Sequence, residues 1–151
     1  MLKYYLSQID TISRKISLSI SKTDCIFLYG ELGSGKTTFV RSLIHQLQKK
    51  NRIKKTEVLS PTFSLLHEYN IKNYKVMHYD LYRLKKSKDL EKLGIFKEND
   101  KVITIIEWPE IIKKTIANRL EITFYYQEEE ERRKLKIKGY GKWKKFKLNA
   151  I

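Results

Sequence analysis

A three-layer α/β fold built on a mixed central sheet is what the sequence predicts, on three observations. Two short runs, Cys25-Ile26-Phe27-Leu28-Tyr29 and Val102-Ile103-Thr104-Ile105-Ile106, are almost continuously apolar, as strands covered on both faces are. The first passes through a glycine-rich turn into a segment where Phe39, Val40, Leu43, Ile44 and Leu47 recur with helical period. Residues 63–71 and 74–80 form two further β-like runs separated by Lys72-Asn73, which reads as an antiparallel hairpin and makes the sheet mixed.

The remaining elements follow from local chemistry. Residues 2–6 suit a short strand, and Asp10 is placed to cap a helix that carries Ile12, Ile16 and Ile20 on one face and ends near Lys22. The helix from Lys36 stops at the basic stretch 49–55. Residues 87–93 read as a short helix ended by Gly94. Glu107 sits at the end of the second apolar run. Pro109 suits a helix's first turn, with Ile111 and Ile112 as its apolar contacts, and residues 120–126 read as one more strand. Residues 1–127 then form the core. Residues 128–151 are a basic extension: four glutamates, an alternation through Leu135 and Ile137, a turn at Gly139-Tyr140-Gly141, and a return through Trp143, Phe146 and Leu148. A terminal hairpin packed on the same domain is expected.

With 151 residues, of which 41% are hydrophobic and 32% charged, the chain has material for one core and too little for two, and wholesale disorder is excluded. Its 32 basic residues against 17 acidic give a net charge of +15, which favours polyanionic partners. Of the 32, 25 are Lys and 7 Arg, and biased codon usage also yields that pattern. The extension holds nine basic and four acidic residues, so most of the excess lies elsewhere. Cys25 is the single cysteine, which excludes an internal disulfide and a cysteine-based zinc cluster and fits a reducing compartment. Without a signal-peptide core or a membrane-length apolar run, a cytoplasmic protein with no membrane association is expected.

The chemistry concentrates in Gly30-Glu31-Leu32-Gly33-Ser34-Gly35-Lys36-Thr37, which satisfies G-x-x-x-x-G-K-[ST] between a predicted strand and a predicted helix. This makes the fold P-loop NTPase-like. Glycines let the backbone wrap a phosphate with successive N–H groups turned inward, and the helix directs the positive end of its dipole at the same anion. Lys36 supplies a point charge for the β and γ phosphates, and the Thr37 hydroxyl suits Mg²⁺. An acid is also needed at the metal, commonly at the end of a buried strand beside the loop. Glu107 fits best and Asp80 second, since the strand before Asp80 mixes His78 and Tyr79 with Val76 and Met77 and reads as a sheet edge. For either acid the alternative is an exposed carboxylate at a strand end. Thr62, in Ser60-Pro61-Thr62, suits a loop that senses the γ-phosphate, with ordinary turn chemistry as the alternative. His45, His67 and His78 match no metal motif and read as structural. Trp108 reads as a packed aromatic, its place beside Glu107 leaving ligand stacking open.

Together these residues resemble the TsaE family, also called YjeE, the small bacterial P-loop ATPases of tRNA threonylcarbamoyladenosine synthesis. The resemblance spans about residues 10–126. It rests on Leu28-Tyr29-Gly30-Glu31-Leu32-Gly33-Ser34-Gly35-Lys36-Thr37-Thr38, Ser60-Pro61-Thr62-Phe63, His78-Tyr79-Asp80-Leu81-Tyr82-Arg83-Leu84 and Glu107-Trp108-Pro109, in that order. It implies an ATPase that works with the TsaD and TsaB proteins on tRNAs reading A-starting codons, resetting or regulating their complex without itself making the modification. It also implies that Gly33, Ser34, Gly35, Lys36, Thr37 and Thr38 cradle the phosphates of ATP, that Thr37 and Glu107 hold Mg²⁺, that Thr62 lies in a switch-like loop, that Asp80 serves hydrolysis, and that Thr11 lies near the nucleotide.

Three other readings share part of this pattern. A P-loop small-metabolite kinase needs an arginine-bearing lid, and no Arg-rich segment follows the core strands, leaving Arg83 alone. A GTPase lacks its Asn-Lys-x-Asp element here. A basic tRNA-binding module with incidental nucleotide binding would use residues 49–55 and the lysine and aromatic alternation at Tyr140, Trp143 and Phe146. A solvated basic face accounts for the same residues.

Overall fold

The computed structural model describes residues 1–97, 101–127 and 131–148. Seven strands, β1 (Leu2–Tyr5), β2 (Cys25–Tyr29), β3 (Leu66–Ile71), β4 (Tyr74–Asp80), β5 (Val102–Glu107), β6 (Arg119–Tyr125) and β7 (Arg132–Tyr140), make one mixed sheet in the order β1-β7-β6-β2-β5-β4-β3. The helices are α1 (Ile9–Ser19), α2 (Lys36–Lys50) and α3 (Lys88–Leu93). β2, β4, β5 and β6 run parallel to their neighbours among themselves, and the outer pairs β3/β4, β6/β7 and β7/β1 are antiparallel.

The apolar periodicity reappears as two cores, one on each face of the sheet. On one face Ile12 and Ile16 of α1 and Phe39, Leu43, Ile44 and Leu47 of α2 pack on Ile26, Leu28, Ile105, Ile122 and Leu135. On the other, Phe27, Met77, Tyr79 and Ile106 meet Leu90 and Leu93 of α3 and Ile111 and Ile112. β2 and β5 are therefore covered on both sides, which is why their sequences are unbroken apolar runs.

Several boundaries differ from expectation. Asp10 does not cap α1: a 3-10 turn at Leu6–Gln8 leads straight into the helix, so Asp10 falls inside its first turn and accepts a hydrogen bond from the Ser42 hydroxyl of α2. α1 stops at Ser19, because Ser21 N–H bonds the Asp24 carboxylate at 2.7 Å and closes the turn into β2. β3 starts at Leu66 rather than residue 63, since Leu65 adopts a φ of +66° and donates to Pro61 O, turning residues 62–64 away from the ladder. Pro109 opens a single 3-10 turn to Ile111 instead of a longer helix. β4 is no edge strand: it lies between β3 and β5 with His78 and Tyr79 buried.

The basic extension does not fold back as a hairpin of its own. β7 inserts between β1 and β6, with Leu135 opposite both Leu2 and Phe124. The turn expected at Gly139-Tyr140-Gly141 comes later: Gly139 and Tyr140 are still paired in β7, opposite Leu120 and Arg119, and only Gly141, at φ +60°, leaves the strand, entering a 3-10 helix (Gly141–Lys145) in place of a return strand. Lys142 fixes this course, its N–H bonding Asn118 and its ammonium pairing with Asp24 and Ser21, so that Trp143 enters the α1/α2 core and stacks edge-on with Phe146 at 5.1 Å. Three of the four consecutive glutamates, Glu128, Glu129 and Glu130, lie outside the described residues.

The crossing at Gly139 gives a test. A Cβ there would stand 2.0 Å from the Trp143 carbonyl oxygen, a backbone atom that cannot step aside alone. Gly139→Ala is expected to destabilise the protein by about 2 kcal/mol in urea unfolding. An unchanged midpoint would mean that the tail does not close on β7 as described.

Candidate functional site

The parallel register puts the chemistry in one row. Across β4 and β5 Asp80 stands opposite Glu107, and across β5 and β2 Glu107 stands opposite Leu28, next to the point where β2 leaves the sheet. The row is continued beyond the strands by Leu81 N–H to Glu107 O and Trp108 N–H to Leu28 O. Two carboxylates and the glycine-rich loop are thus held together by main-chain hydrogen bonds.

The loop needs glycine for two separate reasons. A Cβ on Gly30 would meet Phe124 O at 2.4 Å and Ser34 Oγ at 2.8 Å, so the chain can leave β2 only where no side chain exists. Gly35 has open space around it but a φ of +106°, which L side chains rarely adopt. Gly35 is also the residue that starts α2. No side chain caps this helix end and no acid lies in its first turn, so its amides and the positive end of its dipole face the cleft unused. The buried Ser34 hydroxyl, in the same loop, has no hydrogen-bond partner.

Lys36 is 4% exposed and folds back onto the loop, donating to Gly30 O at 2.6 Å and Glu31 O at 2.9 Å, with the Trp108 ring 4.0 Å from its ammonium. Burial holds Lys36 below the ordinary lysine range, opposed by the nearby charges of Glu107, Asp80 and Glu110. The Thr37 hydroxyl lies against both Glu107 oxygens, at 2.9 and 3.1 Å. Thr62 donates to Asp80 at 2.7 Å and meets Ser60 at 2.8 Å, while Asp80's other oxygen accepts Tyr82 N–H at 3.0 Å. A cleft of about 190 Å³ brings together Gly33, Gly35, Lys36, Thr37, Thr38, Thr62, Asp80 and Glu107, with Leu32, Ser60 and Trp108. Thr11 does not line it; it is half-buried near the start of α1. Beyond the loop, a wider hollow of about 910 Å³ is bounded by Gly30, Glu31, Thr123, Tyr125, Gln127 and Lys134 among others.

One residue at the site escaped the sequence. His78, read as structural, is fully buried and its Nε2 lies 2.8 Å from Glu107 Oε1, so with the proton on that nitrogen it donates to the carboxylate. Its spacing is the missed signal: His78 and Asp80 are two apart on one strand and share a face. Trp108, left open between packing and ligand contact, covers Lys36 and stacks on Tyr82 at 4.8 Å from a left-handed backbone, φ +58°.

A family model described as "Threonylcarbamoyl adenosine biosynthesis protein TsaE" matches residues 5–135. The chain belongs to the TsaE family. It therefore belongs with proteins of tRNA threonylcarbamoyladenosine biosynthesis. Among similar proteins, the tRNA threonylcarbamoyladenosine biosynthesis protein TsaE of Rickettsia felis is 35% identical over 122 residues, 80% of this chain and 69% of that one. The protein of that name from Aquifex aeolicus is 35% identical over 127 residues, covering 83% and 85%. A crystal structure of Bacillus subtilus YdiB superposes with a TM-score of 0.66 at 23% identity over 93% of this chain and 86% of the other, a likeness of fold. The P-loop NTPase-like architecture expected for this TsaE-family chain is the one observed. Among the described residues no helix is long and apolar enough to cross a membrane.

His78→Phe removes a donor from a buried carboxylate, and a loss of about 2 kcal/mol in unfolding free energy is expected. Stability equal to the parent's in urea titration would mean that Glu107 does not depend on the histidine.

Proposed function

We propose that this TsaE-family chain is a cytoplasmic, Mg²⁺-dependent ATPase that serves tRNA threonylcarbamoyladenosine formation by acting on the TsaB–TsaD complex. The observation that carries this reading is the uncapped start of α2 opening into the same cleft as Lys36, Thr37, Asp80 and Glu107. Uncapped amides and a buried ammonium suit a polyphosphate. The wider hollow adjoining Gly30 and Glu31 has room for the nucleoside.

The donor set fits Mg²⁺. A hydroxyl and a carboxylate, both oxygen, are the hard ligands this ion takes when phosphates and water complete its shell. Among the described residues no cluster of three His, Cys, Asp or Glu forms an all-protein metal cage, and Mg²⁺ bound with nucleotide needs none. When bound, the metal would supply charge neutralisation between the β and γ phosphates, held by Thr37 and Glu107.

The chain's own residues divide the remaining work. Gly33, Ser34, Gly35 and Thr38 surround the anion with backbone and hydroxyl donors, and Lys36 exchanges two neutral carbonyls for a phosphate. His78 keeps Glu107 oriented, as outer-shell donors keep ligating carboxylates. Asp80 orients the attacking water, and Thr62, bonded to it, couples that role to the 59–64 loop. Thr11, near the start of the helix that packs on α2, is assigned to the nucleotide's periphery.

Hydrolysis by the chain alone is slow in this reading. Among the described residues no arginine lines the cleft, and Arg83 instead lies over the exposed Phe63 ring at 4.9 Å. That also leaves a small-metabolite kinase without its lid. The partner complex supplies or orders the missing charge.

Lys36→Ala should weaken ATP binding about 100-fold by calorimetry, the size of a lost charge-assisted contact of about 3 kcal/mol. Glu107→Gln should leave nucleotide affinity within about threefold while lowering Mg²⁺-dependent turnover about 100-fold in the presence of TsaB and TsaD. The reverse pattern would remove Glu107 from the metal, and turnover by the free chain equal to that of the complex would overturn the requirement for partners.

A further inference from the structure

We infer that the end of the molecule opposite the cleft, centred on a groove between α1 and the C-terminal turn, binds the phosphate backbone of RNA. β2 runs from Asp24 toward the glycine loop, so Ser21, Asp24 and the residues attached to them mark the far end of the parallel strands. Attached there is Lys142. The groove beside it has a volume of about 570 Å³, and Lys15, Lys142, Trp143, Lys145, Phe146 and Lys147 line it, with no acidic residue among the described residues of its walls.

The groove is held rigidly. Lys142 is anchored to Asp24 and Ser21, and Trp143, 2% exposed, is locked in the core, so the lysines that follow ride on a fixed turn. Lys145 and Lys147 are exposed and have no acidic partner among the described residues. The basic surface continues past the groove, since Lys50 at the end of α2 donates to Ser17 O at 3.1 Å and so joins the ends of both helices. Compensation of the helix dipole explains basic residues in the last turn of α2, but not those on the tail, which belongs to no α-helix.

The chemistry of the walls selects the partner. A lipid surface would take a broad apolar face, whereas Leu18 is the sole exposed large apolar side chain here among the described residues. Lysines alternating with a half-buried Phe146 ring suit phosphates with an occasional stacked base. An acidic protein would satisfy the charge but leave the ring unused. The inference rests on the tRNA pathway proposed above and is independent of the nucleotide chemistry. α2 has 15 residues and is about 22 Å long at 1.5 Å per residue, so RNA at its far end leaves the cleft open.

The test is fluorescence anisotropy of the full chain with a labelled, in vitro transcribed tRNA between about 50 and 200 mM salt. K145E/K147E is compared with K85E/K86E, which changes the net charge equally on an exposed segment elsewhere. The groove pair should weaken binding at least about 10-fold and reduce the slope of log affinity against log salt by about 2, with the control within about threefold. K145Q/K147Q, which removes charge without reversing it, should lie between them. Equal losses from both pairs would reveal diffuse attraction and overturn the site, as would no loss from the groove pair or no tRNA binding by the parent chain. Binding of a fluorescent ADP analogue should be unchanged in every variant, so absence of nucleotide binding in the parent would sink the ATPase reading separately from this one.

Discussion

The cleft depends on a register. Because β4, β5 and β2 run parallel with Asp80 opposite Glu107 and Glu107 opposite Leu28, the two acids reach the rim of the sheet beside the residue from which the glycine loop departs. A slip of one residue would turn either carboxylate to the opposite face. The register is secured by burial on both sides, since a displaced β5 would have to expose Ile103, Ile105 or Ile106 or break the ladder.

That arrangement concentrates buried charge, and the pairing offsets its desolvation. Glu107, 2% exposed, has hydroxyl and imidazole neighbours on its oxygens, and Asp80, 3% exposed, receives Thr62 and a backbone amide. Lys36 is held by two carbonyls and the face of Trp108, while burial and the surrounding carboxylates pull its proton affinity in opposite directions. At the cleft itself the groups left without partners are the uncapped amides at the start of α2, which is where an anion would complete the bonding, while the buried Ser34 hydroxyl in the loop and His78 Nδ1 behind Glu107 also lack partners.

The elements legible in sequence were those with an unambiguous period or a stringent backbone demand. The apolar runs of β2 and β5, the helical stripe of α2 and the Lys72-Asn73 turn each have a single reading, and the glycine loop was identifiable because its residues answer to steric requirements rather than to composition. Thr37, Thr62, Asp80 and Glu107 are individually legible, but their hydrogen bonds to one another depend on strand neighbours that no local pattern specifies. For the same reason β4 read as an edge and His78 as structural: a strand with polar residues looks exposed until its polar side chains are seen to face a buried site. The tail misled differently. Gly139 stays in the strand and Gly141 alone ends it, and beyond that point the affinity of Trp143 for the α1/α2 core and the grip of Asp24 on Lys142 outweigh strand pairing.

The central claim is that main-chain amides between β2 and α2 hold a phosphate chain. It is tested most directly by following backbone amide resonances of the isotope-labelled protein while MgADP is added. The account predicts that Gly33 through Thr38 shift first and furthest, with smaller changes at Glu107 and around the Gly30 hollow. Saturable binding with those amides unmoved, or shifts confined to the basic end of the molecule, would contradict it.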